Sequence, residues 1–515
     1  MDKYAKMALD EYNSEACAVH PGGVNGRLFW NINSSQFTFS PSFQFPWIPA
    51  AGKYEFIATD KNGVEHRFTA DTPTANLAPI WGEIPTGFVE LKVVSSSDKL
   101  VGARTFFKLE PFPGRENLPK RARSYREAAL MSYNFIYSDD IVNHWLTHGV
   151  PKPDYAHNAY PSKMLGSIIP AMTKFAESSP ENRENALKLA KNAADYLISI
   201  SFPKGHPLEG LPPTYSFDGL DADVVNEVAP AAQKCLGTIM MIYPVSAGAA
   251  YLELYKATKD EKYLNAALKI AEFYKNNIRP EGSWFLLYDC ESGKPLKKNL
   301  CLSFQFVSFF EKLCKVTDNA DWQNLSKAHY EYVCDACLKN FNWEGQFEDI
   351  PVTGNYHNLT HFAANNMIDY IVNNLSDDES QVLIAKDLMR YVEDQFVVWG
   401  EFPNWEKNPP TNVYHTPCGL EQYLCYCPID SSTARIIESF MMLYKMTGER
   451  LYLEKAMALA DNITRMQDEA TGLIPTFFIG ENCSYGRFNY WINCHIHTTG
   501  VLMELAELTE KEGIE

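Results

Sequence analysis

The stretch YKATKDEKYLNAALKIA, residues 255–271, decides the fold because it recurs without a gap as YKMTGERLYLEKAMALA at 444–460. In both copies the apolar residues follow helical spacing and form one stripe, with charged residues on the opposite side. The matched apolar positions are Tyr263 and Tyr452, Leu264 and Leu453, Ala267 and Ala456, and Ala271 and Ala460. The repeat predicts a helical hairpin that is used more than once in this chain.

Looser copies occur at 184–197, 315–333 and 376–396, and a more apolar helical segment precedes each amphipathic one. The apolar segments are 160–176, 236–256, 302–316, 360–375, 433–446 and 498–510, and 124–135 pairs with the last of them. Repeats that each leave one hydrophobic face uncovered must stack or close on themselves. Six apolar and six amphipathic helices in alternation therefore predict an (α/α)6 toroid over residues 114–515.

In residues 1–113 the apolar residues recur with a different period, that of β-strands. Short alternating runs end at turn residues, and Lys61-Asn62-Gly63 between two such runs is a hairpin signal because Asn-Gly accepts positive φ. About seven strands, the first of them at 27–33, predict a small all-β sandwich of immunoglobulin or fibronectin type III kind. The Pro- and Gly-bearing stretch 111–119 reads as the linker between two domains.

Composition excludes several classes of function. The 515 residues carry a net charge of −18, which argues against binding to nucleic acid or to an anionic membrane surface. No apolar stretch is long enough to span a bilayer. The N-terminus lacks a secretory signal and the 12 cysteines are scattered. We therefore expect a cytoplasmic protein, or a periplasmic or secreted one if a signal peptide has been removed.

The repeated motif Y-K-x-T-(G/K)-(D/E)-x-x-Y-L-x-x-A, followed by G-x-W or G-L-I-P, resembles the six-hairpin glycosidase superfamily. That superfamily includes bacterial unsaturated glucuronyl and rhamnogalacturonyl hydrolases, and the resemblance covers about residues 120–510. It implies a toroidal carbohydrate-active enzyme, and an N-terminal β-sandwich recurs in such enzymes. No complete catalytic signature of one family matches, so the resemblance transfers no catalytic residues.

In a toroid of this kind the loops from each outer helix to the next inner helix share one rim, where function is placed. These loops hold nine of the 12 histidines and six of the 10 tryptophans in about a third of the chain. They are approximately 137–159, 202–230, 279–301, 341–361, 399–430 and 468–497. The enrichment predicts a sugar-binding funnel at this rim.

Carboxylates on the rim supply candidates for glycoside hydrolysis, which needs one acid and one nucleophile or base. Glu348 in GQFED and Glu401 in GEFPN occupy similar places in successive repeats, so we predict that they face each other. Asp218 and His357 complete the predicted catalytic set. The predicted substrate-binding residues are Tyr215, Trp284, Asp289, Trp343, Tyr356, His361, Trp405, Arg487, Trp491, His495 and His497. A guanidinium such as that of Arg487 suits the carboxylate of a uronic acid.

No metal or cofactor is expected. The pair at His357 and His361 lacks the glutamate of a zinc protease motif, the cysteines at 418, 425 and 427 lack paired zinc-ligand spacing, and no nucleotide-binding glycine pattern occurs. The sequence thus predicts a glycoside hydrolase that acts on an oligosaccharide containing a uronic acid. A lyase using Tyr356, His357, Asn358 and Arg487, a sugar epimerase, and a non-catalytic carbohydrate-binding toroid stay open as alternatives, and the oligomeric state is open too.

Overall fold

The computed structural model describes residues 2–14, 33–49, 51–97, 99–352, 354, 357–403, 414–479 and 490–514. Its longer helices are α1 (Lys3–Tyr12), α2 (Tyr125–Ser138), α3 (Asp140–His148), α4 (Pro161–Ser178), α5 (Arg183–Ser199), α6 (Ile242–Thr258), α7 (Glu261–Asn277), α8 (Gln305–Thr317), α9 (Ala320–Cys334), α10 (Phe362–Asn374), α11 (Glu379–Phe396), α12 (Asp430–Thr447), α13 (Arg450–Met466) and α14 (Ile492–Lys511). Single helical turns occur at Ala78–Trp81, Ala222–Val225 and Pro230–Gln233.

The strands are short, as the sequence predicts. They are β1 (Gln36–Phe37), β2 (Ser42–Gln44), β3 (Tyr54–Thr59), β4 (Glu65–Ala70), β5 (Thr74–Asn76), β6 (Gly87–Ser95), β7 (Leu100–Lys108), β8 (Thr238–Met240), β9 (Leu287–Asp289), β10 (Val397–Val398), β11 (Cys418–Gln422) and β12 (Cys425–Pro428). The last five lie in the loops between helical hairpins, so they shape the rim rather than the ring.

Six helical hairpins form the ring. The packed pairs are α4 with α5, α6 with α7, α8 with α9, α10 with α11, α12 with α13, and α14 with α2. The inner helices pack in sequence from α4 to α6 to α8, and from α10 through α12 and α14 back to α4. Between α8 and α10 the ring is joined by aromatic side chains, with Phe304 and Tyr370 centroids 5.6 Å apart. The prediction of a helical toroid is confirmed.

The repeated motif works as a hairpin turn. α6 ends at Thr258, Lys259 takes the left-handed conformation, and Asp260 caps α7 through the backbone N–H of Lys262. The second copy turns in the same register at Gly448. A left-handed residue after the last helical turn releases the chain from the helix, and a capping carboxylate satisfies the free N–H groups of the next one. The conserved spacing of the two copies is therefore the spacing of a helix stop and a helix start.

The N-terminal strands form a β-unit, residues 36–108, whose main sheet has the order β1-β7-β6-β3-β4. β3 and β4 form the predicted hairpin, and Gly63 has a φ of 79° in its turn. A separate two-stranded ribbon pairs β2 with β5. The predicted two-layer sandwich is not clearly present in the described residues, because only one sheet exceeds three strands; the predicted first strand, 27–33, lies almost wholly outside them.

The β-unit and α1 both dock on the last turns of α11. The backbone N–H groups of Thr38 and Phe39 each donate to Asp394 Oδ1 at 2.7 Å. Tyr12, at the end of α1, donates to the carboxylate of Glu393. α1 also packs against α13. Within the described residues, no helix has both the length and the hydropathy that a membrane span requires.

Candidate active site

Side chains from five elements meet where the inner helices begin. Lys163 lies in the first turn of α4, Tyr243 in the first turn of α6, Glu348 in the loop before α10, Glu421 on β11, and Trp491 at the N-cap of α14. All of these positions belong to the rim formed by the loops from outer to inner helices. The loop before α10 brings an acidic pair, Glu348 and Asp349, into this group.

Glu348 anchors the group. Its side chain is fully buried, and Lys163 Nζ lies 2.5 Å from Glu348 Oε1. Tyr243 donates its hydroxyl to Glu348 Oε2, and Tyr215 donates to the Glu348 backbone carbonyl at 3.1 Å. A buried carboxylate is costly unless it is paired and hydrogen-bonded, and both oxygens of Glu348 have a partner. Glu348 therefore fixes the position of the Lys163 ammonium group.

Lys163 is the member of this pair that stays accessible, with 22 % of its side chain exposed. Burial acts to lower the pKa of Lys163, but the charges of Glu348 and Asp349 outweigh it and raise the pKa above its usual value. The ammonium group also lies over the ring of Trp491, 4.5 Å from the ring centroid. A cation over an indole face is attracted by the ring quadrupole. Lys163 is consequently a fixed positive charge at the rim, in the first turn of α4.

Two partly exposed residues, Asp349 and Glu421, carry carboxyl groups that interact electrostatically with that charge. Burial and the charge of Glu348 raise the pKa of Asp349 to about 7, against a smaller opposing effect of Lys163. Burial also raises the pKa of Glu421, and Lys163 opposes that rise. We call Glu348, Asp349, Glu421 and Lys163 the carboxylate centre. Strongly perturbed carboxyl groups in a cleft are typical of functional sites.

Trp491 forms an aromatic wall beside the carboxylate centre. Its ring stacks on His157 with a centroid distance of 3.6 Å and on Tyr160 at 5.7 Å, and it remains partly exposed. Burial lowers the pKa of His157 to about 3, with a further contribution from the charge of Lys163. His157 is therefore a neutral packing partner that fixes the orientation of the indole.

The tyrosines around the centre are hydrogen-bond donors rather than bases. Burial, reinforced by the charge of Glu348, raises the pKa of Tyr160 and Tyr243 above the ordinary value. The pKa of Tyr215 is raised by burial and by Cys235, with a smaller contribution from Glu348. A tyrosine that abstracts a proton must reach the phenolate form, which these surroundings oppose.

The predicted catalytic residues lie in different surroundings. Glu348 belongs to the carboxylate centre, but Asp218 is an exposed loop residue whose backbone N–H donates to Ser216 Oγ. Glu401 is exposed and its backbone N–H donates to Glu110 Oε2 at 3.2 Å, at the junction with the β-unit. His357 is exposed on its loop. The structure therefore places Glu401 beside Glu110 and not, as the repeat predicts, opposite Glu348.

Most of the predicted aromatic platform is core. Trp284 is fully buried, stacks on Phe306 and donates to the Tyr274 carbonyl at 2.7 Å. Trp343 is 2 % exposed and stacks on Tyr391. Large rings at the start of each loop fill the space between neighbouring hairpins, so they present no surface to a ligand. Of the predicted tryptophans in the described residues, Trp491 alone has an accessible edge.

The predicted histidines are also mainly interior. His361 and His495 are fully buried, and burial lowers the pKa of each to about 3. His361 Nδ1 bonds Asn365, and His495 Nε2 bonds Ser132. His497 keeps 26 % of its side chain exposed, 3.9 Å from Glu438, and burial lowers its pKa well below the usual value. These neutral imidazole groups therefore pack among the inner helices.

The remaining predicted residues add little to the centre. Tyr215 contributes through its bond to Glu348, whereas Asp289 accepts from the backbone N–H and hydroxyl of Ser292 in a turn. Tyr356, Trp405 and Arg487 lie outside the described residues. Among the residues that the structure describes, no three His, Cys, Asp or Glu side chains converge in a way that would hold a metal ion.

Sequence reasoning missed Lys163, Tyr243, Asp349 and Glu421. Lys163 and Tyr243 fall in the first turns of apolar helices, where nothing in the local pattern distinguishes them. Asp349 was detectable as the second acid of the EDI motif on a rim loop. Glu421 follows three apolar or small residues on a strand and carries no local signal of its own.

Comparison with solved structures supports the architecture. Cellobiose 2-epimerase from Spirochaeta thermophila matches with a TM-score of 0.51 and 12 % identity, over 75 % of this chain and 98 % of that chain. A D-mannose isomerase matches with a TM-score of 0.51 and 13 % identity, over 75 % of this chain and 97 % of that chain. A family 76 glycoside hydrolase from a bovine Bacteroides thetaiotaomicron strain matches with a TM-score of 0.48 and 11 % identity, over 92 % of this chain and 98 % of that chain.

No protein-family model matches the chain, and no curated protein matches it. The two likenesses at a TM-score of 0.51 identify the fold, a toroid of helical hairpins as in the six-hairpin glycosidase superfamily. A fold of this kind hosts several chemistries, so the reaction must be inferred from the site itself.

Proposed function

We propose that the protein is a carbohydrate-active enzyme, a glycoside hydrolase that cleaves an oligosaccharide at the carboxylate centre. The observation that carries the proposal is the gathering of Glu348, Asp349 and Glu421 around the single ammonium of Lys163, beside the indole of Trp491. Two carboxyl groups with separate protonation states are what glycosidic cleavage needs. The names of the two structures at TM-score 0.51, an epimerase of cellobiose and an isomerase of D-mannose, add support for a sugar substrate.

Asp349 is the proposed general acid. Its pKa, raised to about 7 by burial and by Glu348, keeps a large protonated fraction near neutrality, and its side chain is partly exposed. A proton on Asp349 is thus available to the oxygen of the leaving group. The pKa of a general acid must lie near the working pH, and the pKa of Asp349 meets that condition near neutrality.

Glu421 is the proposed second carboxylate, acting as nucleophile or as base toward water. Burial raises the pKa of Glu421, and the charge of Lys163 opposes that rise in favour of the ionised form. Glu348 is a positioning residue, because its fully buried oxygens bond Lys163 and Tyr243 rather than facing the rim. Trp491 supplies an apolar face on which a pyranose ring stacks.

The domain division follows from this assignment. We propose residues 114–515 as the catalytic domain and residues 1–113 as an accessory domain that docks on α11. The predicted preference for a uronic acid remains part of the proposal. Its strongest sequence candidate, Arg487, lies outside the described residues.

The surroundings of the lyase candidates favour hydrolysis. Asn358 is buried, donates to Gln422 Oε1 at 2.7 Å and accepts from the Leu424 N–H at 2.9 Å, so it is occupied by the protein itself. The neighbouring tyrosines have raised pKa values, as described above. A β-elimination needs a basic tyrosine or histidine and a group that neutralises the uronate.

A substrate panel tests the reaction. The wild-type protein is incubated with uronate-containing and neutral oligosaccharides, saturated and unsaturated, while reducing ends and ultraviolet absorbance are followed. Release of reducing ends, or loss of an existing unsaturated chromophore, supports hydrolysis. A new ultraviolet chromophore means a lyase, a change of sugar configuration without cleavage means an epimerase, and binding without turnover means a carbohydrate-binding toroid.

Variants then test the assigned roles. Asp349→Asn is expected to lower kcat by a factor on the order of 100 to 10,000, because a general acid contributes that much. Wild-type activity is expected to fall as the pH rises above about 7, the value near which Asp349 loses its proton. Asp378→Asn is a matched control, since Asp378 caps α11 away from the rim and asparagine caps equally well. Equal activity of Asp349→Asn and wild type would exclude Asp349 as the acid.

A further inference from the structure

A pair of thiols lies on the strand opposite Glu421. Cys425 Sγ and Cys427 Sγ, both on β12, are 3.4 Å apart. Cys425 is partly exposed and Cys427 is 5 % exposed. The short distance between them shows that the two sulfur atoms lie side by side.

The pairing of β11 with β12 is irregular at this point. Leu420 pairs with Pro428 and Gln422 pairs with Cys425, so the single residue Glu421 is opposed by two residues, Tyr426 and Cys427. This is the pattern of a β-bulge, and bulges next to active sites re-aim side chains. The bulge therefore helps to set the direction of the Glu421 carboxylate.

The hairpin is held firmly on its other side. Thr360 Oγ1 donates to the Glu421 carbonyl at 2.8 Å, and Leu424 N–H donates to Asn358 Oδ1 at 2.9 Å. A change in β12 between Cys425 and Cys427 acts directly on the bulge, which lies opposite Glu421. Because the Glu421 backbone is held by Thr360, we expect the Glu421 side chain to respond to that change.

We infer that Cys425 and Cys427 form an oxidisable dithiol whose disulfide, formed by a peroxide, alters the position of Glu421. A disulfide requires the sulfur atoms to approach to about 2.05 Å, which is a short movement from the present separation. The dithiol is a modification site independent of the reaction, whereas its effect on turnover rests on the proposed function.

The chemistry balances with hydrogen peroxide as the oxidant. The thiolate of the more exposed Cys425 attacks one peroxide oxygen, the O–O bond breaks, and hydroxide leaves, giving a sulfenic acid. The Cys427 sulfur then attacks the Cys425 sulfur, the S–S bond forms, the S–O bond breaks, and water leaves with the Cys427 proton. Two thiols are oxidised to one disulfide, one peroxide is reduced, and two water molecules result.

Peptide mapping tests the modification without any substrate. The full-length protein is exposed to a small excess of hydrogen peroxide, free thiols are alkylated, and the peptide bearing both cysteines is weighed. We expect it to lack both alkyl groups and to be lighter by two hydrogen atoms, and to regain both alkylation sites after dithiothreitol. Two alkylated cysteines, or a sulfinic acid on Cys425 alone, would overturn the proposal.

Variants separate the disulfide from its consequence. Cys425→Ser and Cys427→Ser remove the disulfide, whereas Cys290→Ser, which changes another partly exposed free cysteine, leaves it intact. Once a turnover substrate is known, peroxide should lower wild-type kcat by a factor on the order of 100, because a misplacement of about 1 Å costs that much. The fall should be absent in both serine variants. An observed disulfide with unchanged turnover would refute the coupling to Glu421, and absence of any turnover would count against the proposed function while leaving the mapping result intact.

Discussion

Two glutamate–lysine pairs in this protein make similar contacts but differ in their proposed roles. Glu348 pairs with Lys163 at 2.5 Å, and Glu393 pairs with Lys455 at 2.7 Å. In each pair a tyrosine hydroxyl also donates to the glutamate, and the ammonium lies over an aromatic ring. The chemistry of the pair alone therefore does not distinguish a structural contact from a functional one.

The difference lies in what remains accessible. The side chains of Lys455 and Glu393 are 1 % and 3 % exposed, and Glu393 further accepts from Trp399 Nε1 at 3.0 Å. That pair, which we call the closed pair, is almost inaccessible to solvent, and it connects α1 to the ring through the hydrogen bond from Tyr12. Lys163 instead keeps 22 % of its side chain exposed and is shared with the carboxylates Asp349 and Glu421. An ion pair with one solvent-accessible member is a candidate for chemistry.

Breaking the closed pair should give the largest effect. Lys455→Met leaves the buried Glu393 charge without its cation, so the free energy of unfolding should fall by about 3–5 kcal/mol. Urea unfolding followed by circular dichroism measures it. The double variant Glu393→Gln with Lys455→Met should recover most of the loss, because no unpaired charge is left. Equal losses in the single and double variants would show that packing, not charge, holds α1 in place.

Removing the open pair should act on turnover. Glu348→Gln combined with Lys163→Met keeps side-chain volume and removes both members of the buried ion pair, so the fold should persist. We expect kcat to fall by a factor on the order of 100 to 1,000, as when one preorganised electrostatic group is removed from an active site. The matched double variant of the closed pair should keep its turnover. Similar kinetics for the two double variants would end the distinction between the pairs.

Trp491 should contribute less than the charges. Trp491→Ala removes the proposed sugar platform, and we expect KM to rise by a factor of about 10, which corresponds to about 1.4 kcal/mol, with a smaller change in kcat. Trp343→Phe, in the buried core, is the control and should leave KM unchanged. A change in kcat with constant KM would place Trp491 outside the substrate-binding surface.

The junction with the β-unit should show the most gradual effect, a dependence of stability on pH. Burial raises the pKa of Asp394 to about 7 from the value of 3.8, against its bonds to the backbone of Phe39 and Thr38. Between these values the folded protein binds a proton that the unfolded chain does not, so stability should fall as the pH rises through the window, by at most about 1.4 kcal/mol per pH unit. Asp394→Asn should flatten that dependence in urea unfolding between about pH 4 and about pH 7. An unchanged slope would assign it to other groups.

The helical part of the fold was largely predictable. The period of the apolar residues and the repeated stop at Lys259 and Gly448 define where helices begin and end, since both are local properties. α7, whose apolar stripe is predicted from the copy at 255–271, begins at Glu261 and ends at Asn277 in the structure. The β-unit was predicted less well, because short strands do not reveal how many sheets they form.

The site was only partly predictable. The sequence pointed to the rim and to Glu348, but it could not tell that Trp284 and His361 are buried while Lys163 is open. Composition counts residues on a loop, whereas burial depends on which neighbouring hairpin a side chain meets. The loop tryptophans therefore suggested a platform, but most of the described ones fill the core.

What the sequence determined by itself is the hairpin repeat, its six-fold count and the face that each helix turns inward. These depend on contacts within about one helical turn and on the spacing of apolar residues. The carboxylate centre exists only in the tertiary structure, because Lys163, the adjacent pair Glu348 and Asp349, and Glu421 come from three separate parts of the chain. Only closure of the ring brings their charges close enough to shift one another's protonation, since electrostatic coupling depends on distance in space and not along the chain.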